Sequence, residues 1–323
     1  MNSKVHTGFF VISLDFELYW GVRDHYSIDQ YKENLTGAYG AIIGMLALFE
    51  KYDIHATWAI VGMLYCKNYN DLIVNSPNIR PTYDDKKISP YTYIELNPHL
   101  ESIFHYAPNT IGLIKDAKYQ DIASHTFSHY YTQERGQTIE QFQADIKSNI
   151  EIAKRHGIDI NSIVFPRNQY SKEHLSILSD FGISSYRGTD KGEVGIFTSL
   201  YLKRAFRLID SYINLTGFNS IKLRDVMCKP YNIQGSRFFR PYAKRGLLED
   251  MKISRIKKSM LYAAKHGKMY HLWWHPHNFG KFTVENLSQL EELLKYFKYL
   301  NMEYGFNSVN MSEVSKEMSC GKN

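Results

Sequence analysis

The strongest constraint on how this chain can fold is a phrase that it repeats: a helical stretch, a glycine, a short apolar run, and then a polar residue capable of chemistry. Thr138 to His156 carries Ile139, Phe142, Ile146, Ile150 and Ala153 on one helical face and stops at Gly157; Ser162 to Phe165 then delivers Pro166-Arg167-Asn168. Leu175 to Phe181, stopped by Gly182, precedes the run Ile183 to Tyr186 and Arg187. Leu248 to His266, stopped by Gly267, precedes Met269 to Trp274 and His275-Pro276-His277-Asn278. Near the start, Gly8 to Leu14 leads into Asp15-Phe16-Glu17, and a helix at Gly37 to Tyr52 leads to the run His55 to Gly62. Short apolar runs alternating with amphipathic helices are how the units of a parallel sheet or an α/β barrel are written. In both architectures the working residues sit at the carboxyl ends of the strands, where Asp15, Glu17, His125, Arg167, Arg187 and His275 all fall. A barrel of this kind accommodates residues 1–323 as one domain.

The remaining stretches are less regular. Trp20 to Thr36 reads as a polar connection, and Met63 to Tyr119, with five prolines, as an irregular insertion holding short helices, either a lid or a surface excursion. Leu202 to Leu215 reads as helix, and Ser220 to Met227 and Gly235 to Phe239 carry weak strand signals. Val284 to Tyr304, a long helix stopped by Gly305, closes the pattern.

Two groups of residues carry metal chemistry. Asp15 and Glu17 stand at i and i+2, so on a strand both carboxylates project to one side and Phe16 to the other. In Asp121 to Tyr131, DIASHTFSHYY, His125 and His129 lie four residues apart, about one helical turn, so both rings can face one point. His271 and His275 repeat that spacing, so spacing alone does not make a site. One carboxylate and two imidazoles form a three-sided centre that leaves room for water, as hydrolytic chemistry requires. Zinc suits these donors first; cobalt, nickel, manganese and iron are compatible with them. A second carboxylate beside such a centre can act as general base, and a histidine across the pocket can protonate a leaving amine. Arg167 can hold the base ionised and aimed by a bidentate bond.

Charge and cysteine usage narrow the classes. The net charge of +6 comes from 39 basic and 33 acidic side chains spread along the chain, without the basic block of a nucleic-acid-binding arm. Such a surface attracts phosphorylated substrates or anionic headgroups only weakly, leaving room for peripheral membrane contact. Cys66, Cys228 and Cys320 are odd in number and far apart, which indicates neither a disulfide framework nor a thiolate metal site. No secretory-type h-region follows Met1 and no run reaches the length of a membrane span, so the expected location is cytoplasmic. Nothing in the sequence indicates an oligomeric state.

The series SLDFE at Ser13 to Glu17, ATWAIVG at Ala56 to Gly62, SHTFSH at Ser124 to His129, FPRNQ at Phe165 to Gln169 and LWWHPHN at Leu272 to Asn278 resembles the polysaccharide deacetylase family, the NodB-like carbohydrate esterases. The resemblance runs from about residue 8 to residue 280 and implies a distorted (β/α)7-type barrel, an α/β fold. It implies that Asp15 is the base and Glu17, with His125 and His129, a metal ligand, although the Asp-x-Glu spacing leaves those two roles exchangeable. Arg167 would orient the base and His275 would be the general acid, with His277 the other candidate. A backbone N–H near Asn168 to Tyr170 would hold the oxyanion, and Asn168, Tyr170, Arg187, His277 and Asn278 would meet the substrate. The family's fourth motif finds no clear match, although Arg187 and Asp190 lie near its place. The implied activity is metal-dependent removal of an acetyl or formyl group from an amino sugar carried by a nucleotide or a lipid, in surface polysaccharide assembly. The alternatives are hydrolysis of a small non-sugar amide or ureide on the same fold, and a non-catalytic carbohydrate-binding relative.

Overall fold

A computed structural model describes residues 7–189, 205, 206, 208–226 and 228–320. Its strands are β1 (Phe9–Phe16), β2 (Ala56–Ile60), β3 (Gln120–Ser124), β4 (Ser162–Val164), β5 (Ser185–Arg187), β6 (Tyr231–Asn232), β7 (Arg237–Phe238), β8 (Met269–Trp274) and β9 (Asn307–Ser308). They lie in the order β6-β5-β4-β3-β2-β1-β8-β7, with β9 beside the start of β1, and the pairings are parallel. β6 and β7 stand at opposite edges of this order, yet only residues 233–236 separate them. From Asn232 to Arg237 a chain reaches at most about 18 Å, so the two edges must meet. Tyr231 to Phe239 is in fact one extended stretch that changes neighbours. The N–H groups of Tyr231, Ile233 and Gly235 donate to the carbonyls of Ser184, Tyr186 and Gly188, while those of Ser236 and Phe239 donate to His271 and Trp273. With that stretch counted once, seven strand positions close the barrel, as the resemblance implies.

Alternation along the strands sorts side chains into two cores. Phe10, Ile12, Leu14 and Phe16 of β1, with Tyr270, Leu272 and Trp274 of β8, point outward into the layer covered by helices. Val11, Ala59, Ala123, Val164, Ile233 and Met269 point inward and form the floor of the barrel. Above them lies a polar layer in which His271 meets the hydroxyl of Ser13 at 2.8 Å and the carbonyl of Ile233 at 3.0 Å. The inward residues at the top of the strands include Asp15 and Arg187, and His275 directly follows β8.

The helices begin and end on local signals, and some differ from expectation. Helix α1 (Ile28–Lys51) starts at Ile28, not Gly37, because Ser27 and Gln30 form a capping box. It buries Leu35, Ala38, Ile42, Met45 and Phe49, each of the four larger side chains contributing about 1.5–3 kcal/mol. Gly37 of α1 meets Gly280 so closely that a Cβ on Gly37 would lie 2.1 Å from the Gly280 carbonyl oxygen. That approach presses the loop after β8 against the barrel. Met63 to Tyr119 is ordered as α2 (Tyr69–Asn75), α3 (Pro90–Leu96), α4 (Ser102–His105) and α5 (Pro108–Asp116). Its Tyr93 and His105 pack edge-on against Trp20, whose indole N–H donates to the His105 carbonyl at 2.8 Å, so the segment buttresses the turn after β1.

Helix α6 (Ile139–Arg155) follows the sequence reading, with Thr138 as its cap. The helix expected at Leu175 to Phe181 is instead α7 (Lys172–Ser176) and a 3-10 turn at Leu178–Phe181, ended by Gly182 at φ 74°. The stretch Leu202 to Leu215 lies partly outside the described residues, as do Asp190 and Met227; residues 208–210 are helical. Helices α8 (Leu247–Lys265) and α9 (Thr283–Tyr304) match their expected spans within a residue. The chain does not finish its pattern at Tyr304. Helix α10 (Met311–Cys320) adds Met311 and Val314 to the barrel floor, held by the Thr57 hydroxyl, which accepts from Met311 N–H, and by Asp121, which accepts from Ser312. Among the described residues no helix is long and apolar enough to cross a membrane.

Candidate metal and catalytic site

Glu17 is the centre of the site. β1 ends beneath it and the chain turns at once through a 3-10 turn, Leu18–Gly21. A Cβ on Gly21 would lie 2.0 Å from the Glu17 carboxyl carbon, so only glycine leaves room for that group. His125 directly follows β3, and its Nδ1–H donates to the Val164 carbonyl at 2.8 Å, which fixes Nε2 as the ligating nitrogen. That Nε2 lies 3.2 Å from Glu17 Oε2, and His129 Nε2 lies 3.0 Å from the same oxygen. The two rings do not share a helical turn as the spacing suggested. They meet across a loop in which Thr126 and His129 have φ of 63° and 55°. Asp145 pins this loop, accepting from the backbone of Phe127 at 2.6 Å, from that of Ser128, and from the Ser128 hydroxyl. Tyr131 supports the far side of His129, with its hydroxyl 3.2 Å from Nδ1.

The donor set fits a cation. Glu17, His125 and His129 are buried, and their ligand atoms lie within 4.8 Å of one another. Burial pushes His129 down to about 4, so its ring is neutral near pH 7. Burial alone would raise the Glu17 carboxyl, but His275, His129 and His125 more than reverse this and hold it well below the usual range. With Nδ1 of His125 already donating, a neutral His125 ring directs a lone pair at a carboxylate oxygen. A metal ion among these atoms satisfies all three donors at once.

Asp15 lies one inward position below. Arg187 clamps it with two bonds, Nη1 to Oδ1 at 2.6 Å and Nη2 to Oδ2 at 2.7 Å. The guanidinium also donates to Ser13 Oγ at 3.0 Å and Asn168 Oδ1 at 3.1 Å, and stacks 4.1 Å from the Trp273 ring. Burial raises the Asp15 carboxyl, and Arg187, with His125 and His275, brings it below its ordinary value. Arg187 thus takes the position expected of Arg167. Register explains the difference: Arg187 pairs with Val164, an inward residue, so it points into the barrel. Arg167 has φ 55° in the turn after β4, and its side chain lies over Tyr131 with Asp24 and Glu134 as partners.

His275 reaches the same centre from β8. Its Nε2 is 3.7 Å from both Asp15 Oδ2 and Glu17 Oε1, and its side chain, 23% exposed, opens to the cleft. Asn278 approaches its Nδ1 at 3.4 Å and accepts from the Tyr31 hydroxyl at 2.8 Å. His277 is buried behind Glu17, with Nε2 3.9 Å from Oε1 and its ring edge-on to Tyr31. His277 is thus enclosed, whereas Asn278, partly exposed, is engaged by His275 and Tyr31. The N–H groups of Asn168 and Gln169 are taken by the carbonyls of Phe165 and Pro166, so neither is offered to an oxyanion. Tyr170 packs on Phe165 and Tyr186 at the rim, its hydroxyl 3.5 Å from Thr189. The second histidine pair does not form a site, since His271 is held in the polar layer below.

A cleft of about 400 Å³ opens beside His275, walled by Trp273, Phe238, Asn168 and Arg237 and bordered by Asp210 and Ser211. Trp273, an inward residue of β8, supplies the aromatic wall. Phe238 and Arg237 follow a weak strand signal, and Asp210 and Ser211 fall in a stretch read only as helix, so no motif marked them.

Residues 40–186 match the family model described as polysaccharide deacetylase. No curated protein matches the sequence. Among solved structures, a Mycobacterium smegmatis protein classed with the polysaccharide deacetylases is similar over 99% of this chain and 93% of its own, at 12% identity and a TM-score of 0.60. A Pseudomonas aeruginosa PAO1 protein classed likewise covers 97% and 91%, at 9% identity and 0.56. A GH57-type branching enzyme from Pyrococcus horikoshii covers 96% and 70%, at 12% identity and 0.54. At these identities the likeness is one of fold.

Proposed function

We propose that this chain, whose residues 40–186 match the polysaccharide deacetylase family model, is a metal-dependent amide hydrolase that removes an acetyl or formyl group from an amino sugar. The observation that carries the reading is the convergence of Glu17, His125 and His129 on one buried point, with the Asp15–Arg187 pair and His275 beside it. A divalent metal held by Glu17, His125 and His129, zinc first among the candidates, would supply Lewis-acid polarisation of the acyl oxygen and acidify the attacking water. Asp15, ionised and aimed by Arg187, takes the proton of that water as its oxygen bonds to the acyl carbon. His275, protonated, gives its proton to the leaving nitrogen as the C–N bond breaks, so acetate or formate and a free amine are the products. Asn278 and Tyr31 keep the His275 ring turned toward the reacting centre.

An aromatic-walled cleft with polar groups along it suits a sugar better than a sealed apolar pocket suits a small amide or ureide. Its rim residues Arg167 and Thr189 are exposed, which leaves space for a carrier beyond the sugar. We place the substrate among nucleotide- or lipid-carried amino sugars on that ground. Purified protein should hold about one transition metal per chain, lost in His125→Ala/His129→Ala, and the metal-loaded protein should release acetate or formate from amino-sugar conjugates. Asp15→Asn should retain the metal and lose turnover by about 10²–10⁴. Metal-loaded protein that releases neither acid from any conjugate would overturn the hydrolase reading, and turnover that survives Asp15→Asn would overturn the role of Asp15.

A further inference from the structure

The connections that leave the carboxyl ends of the strands carry an apolar rim beside the cleft. The chain from the loop after β7 into the first turn of α8 is exposed throughout Ala243 to Leu248, where Lys244-Arg245 are followed by Leu247 and Leu248 at 74% and 38% exposure. Two neighbouring connections continue this surface. Lys244 lies 4.7 Å over the ring of Phe282, in the loop that ends in the 78% exposed Val284. Arg245 donates to the Tyr212 hydroxyl at 3.0 Å, in the segment where Ile213 and Leu215 are half exposed. That segment also supplies Asp210 and Ser211 to the cleft. Exposed apolar side chains grouped on one rim, unlike singly scattered ones, mark an interaction surface.

We propose that this rim is a membrane-docking surface that seats the mouth of the cleft on an anionic bilayer. The occupant is argued from charge: the apolar residues are interleaved with Lys244, which rests on the Phe282 ring, and Arg245, which donates to the Tyr212 hydroxyl, while Lys281, paired with Glu33, also lies over Phe282. Basic residues flanking an apolar patch are how a protein lies on anionic headgroups while its apolar side chains enter the acyl boundary. The docking stands apart from the catalytic reading. Its consequence, that the preferred substrate is an amino sugar on a lipid carrier, rests on that reading.

The test is flotation of the metal-loaded full chain with phosphatidylglycerol/phosphatidylcholine vesicles and with phosphatidylcholine alone. Binding is expected to the anionic vesicles. It should weaken by at least about tenfold in Leu247→Ser/Leu248→Ser and by about thirtyfold in Lys244→Glu/Arg245→Glu. Unchanged circular dichroism, and unchanged deacylation of a small soluble conjugate, would show that each variant is folded. No anionic binding, or binding that both variants retain, overturns the proposal. A change of mass in light scattering without a change in vesicle binding also overturns it and makes a second copy the occupant. Vesicle binding without any deacylation would overturn the hydrolase reading and leave the docking in place.

Discussion

Replacing Arg187 with methionine tests which arginine governs Asp15. Both members of the pair are buried, at 1% and 3% exposure, and two charge-assisted bonds join them. Removing the cation leaves a buried carboxylate without its partner, a loss of about 3–5 kcal/mol. For a chain of this size that lowers Tm by roughly 4–7 °C. The pH dependence carries more information than the size. In the wild type Asp15 lies below its ordinary value of 3.8, so its ionisation stabilises the fold above that pH, and the contribution is lost as pH falls through the lower folded value. In Arg187→Met burial, the largest influence on the carboxyl, is opposed only by His125 and His275, and the carboxyl rises. Stability then declines as pH climbs from 3.8 through the raised value. The gap in Tm between variant and wild type should therefore widen from about pH 4 to neutrality, and the acid limb of kcat/KM should move to higher pH. Arg167→Met leaves the buried Asp24 carboxylate without its arginine, at a cost of about 1–3 kcal/mol, but should leave that limb in place. A pH-independent gap for Arg187→Met, or a displaced acid limb in Arg167→Met, would refute the assignment.

Asp145→Asn removes acceptor capacity from the loop that carries both histidines, so thermal melts should show a loss of about 1–3 kcal/mol. Titration with zinc should show metal affinity lowered by about 10–100-fold. At the barrel floor, burial raises Asp121 to about 6 against bonds from Ser312 and Thr57. The folded state therefore keeps a proton that the unfolded chain releases near 3.8, a contribution complete below that pH and lost as pH rises through about 6. Asp121→Asn should abolish this part of the pH dependence, up to about 3 kcal/mol, in denaturant melts at pH 4 and pH 7.

Much of the barrel is legible because each strand is a short apolar run delivered by a helix and a glycine, and both signals are local. Asp15, Glu17, His125, His129 and His275 are legible for the same reason, each standing at or just beyond the end of such a run. Arg187 and Arg167 look alike at that level. Their difference lies in side-chain parity and in one residue with positive φ, which sheet pairing and the turn decide. The support of His275 by Asn278 and Tyr31 joins positions far apart in the chain, and no local pattern records it. Helix α10 was passed over because the sequence reading closed at Gly305, and the start of α1 because a capping box opens it before any apolar stripe begins.

The stretch from Tyr231 to Phe239, paired first on one side and then on the other, is a seam in the barrel wall. Gly235, Ser236, Arg237 and Phe238 of this seam border the cleft, whereas the candidate metal ligands and Asp15 stand on other strands. Substitutions at the seam can reshape what enters without disturbing what reacts. A chain built this way can change its substrate at one wall while its chemistry stays fixed at another.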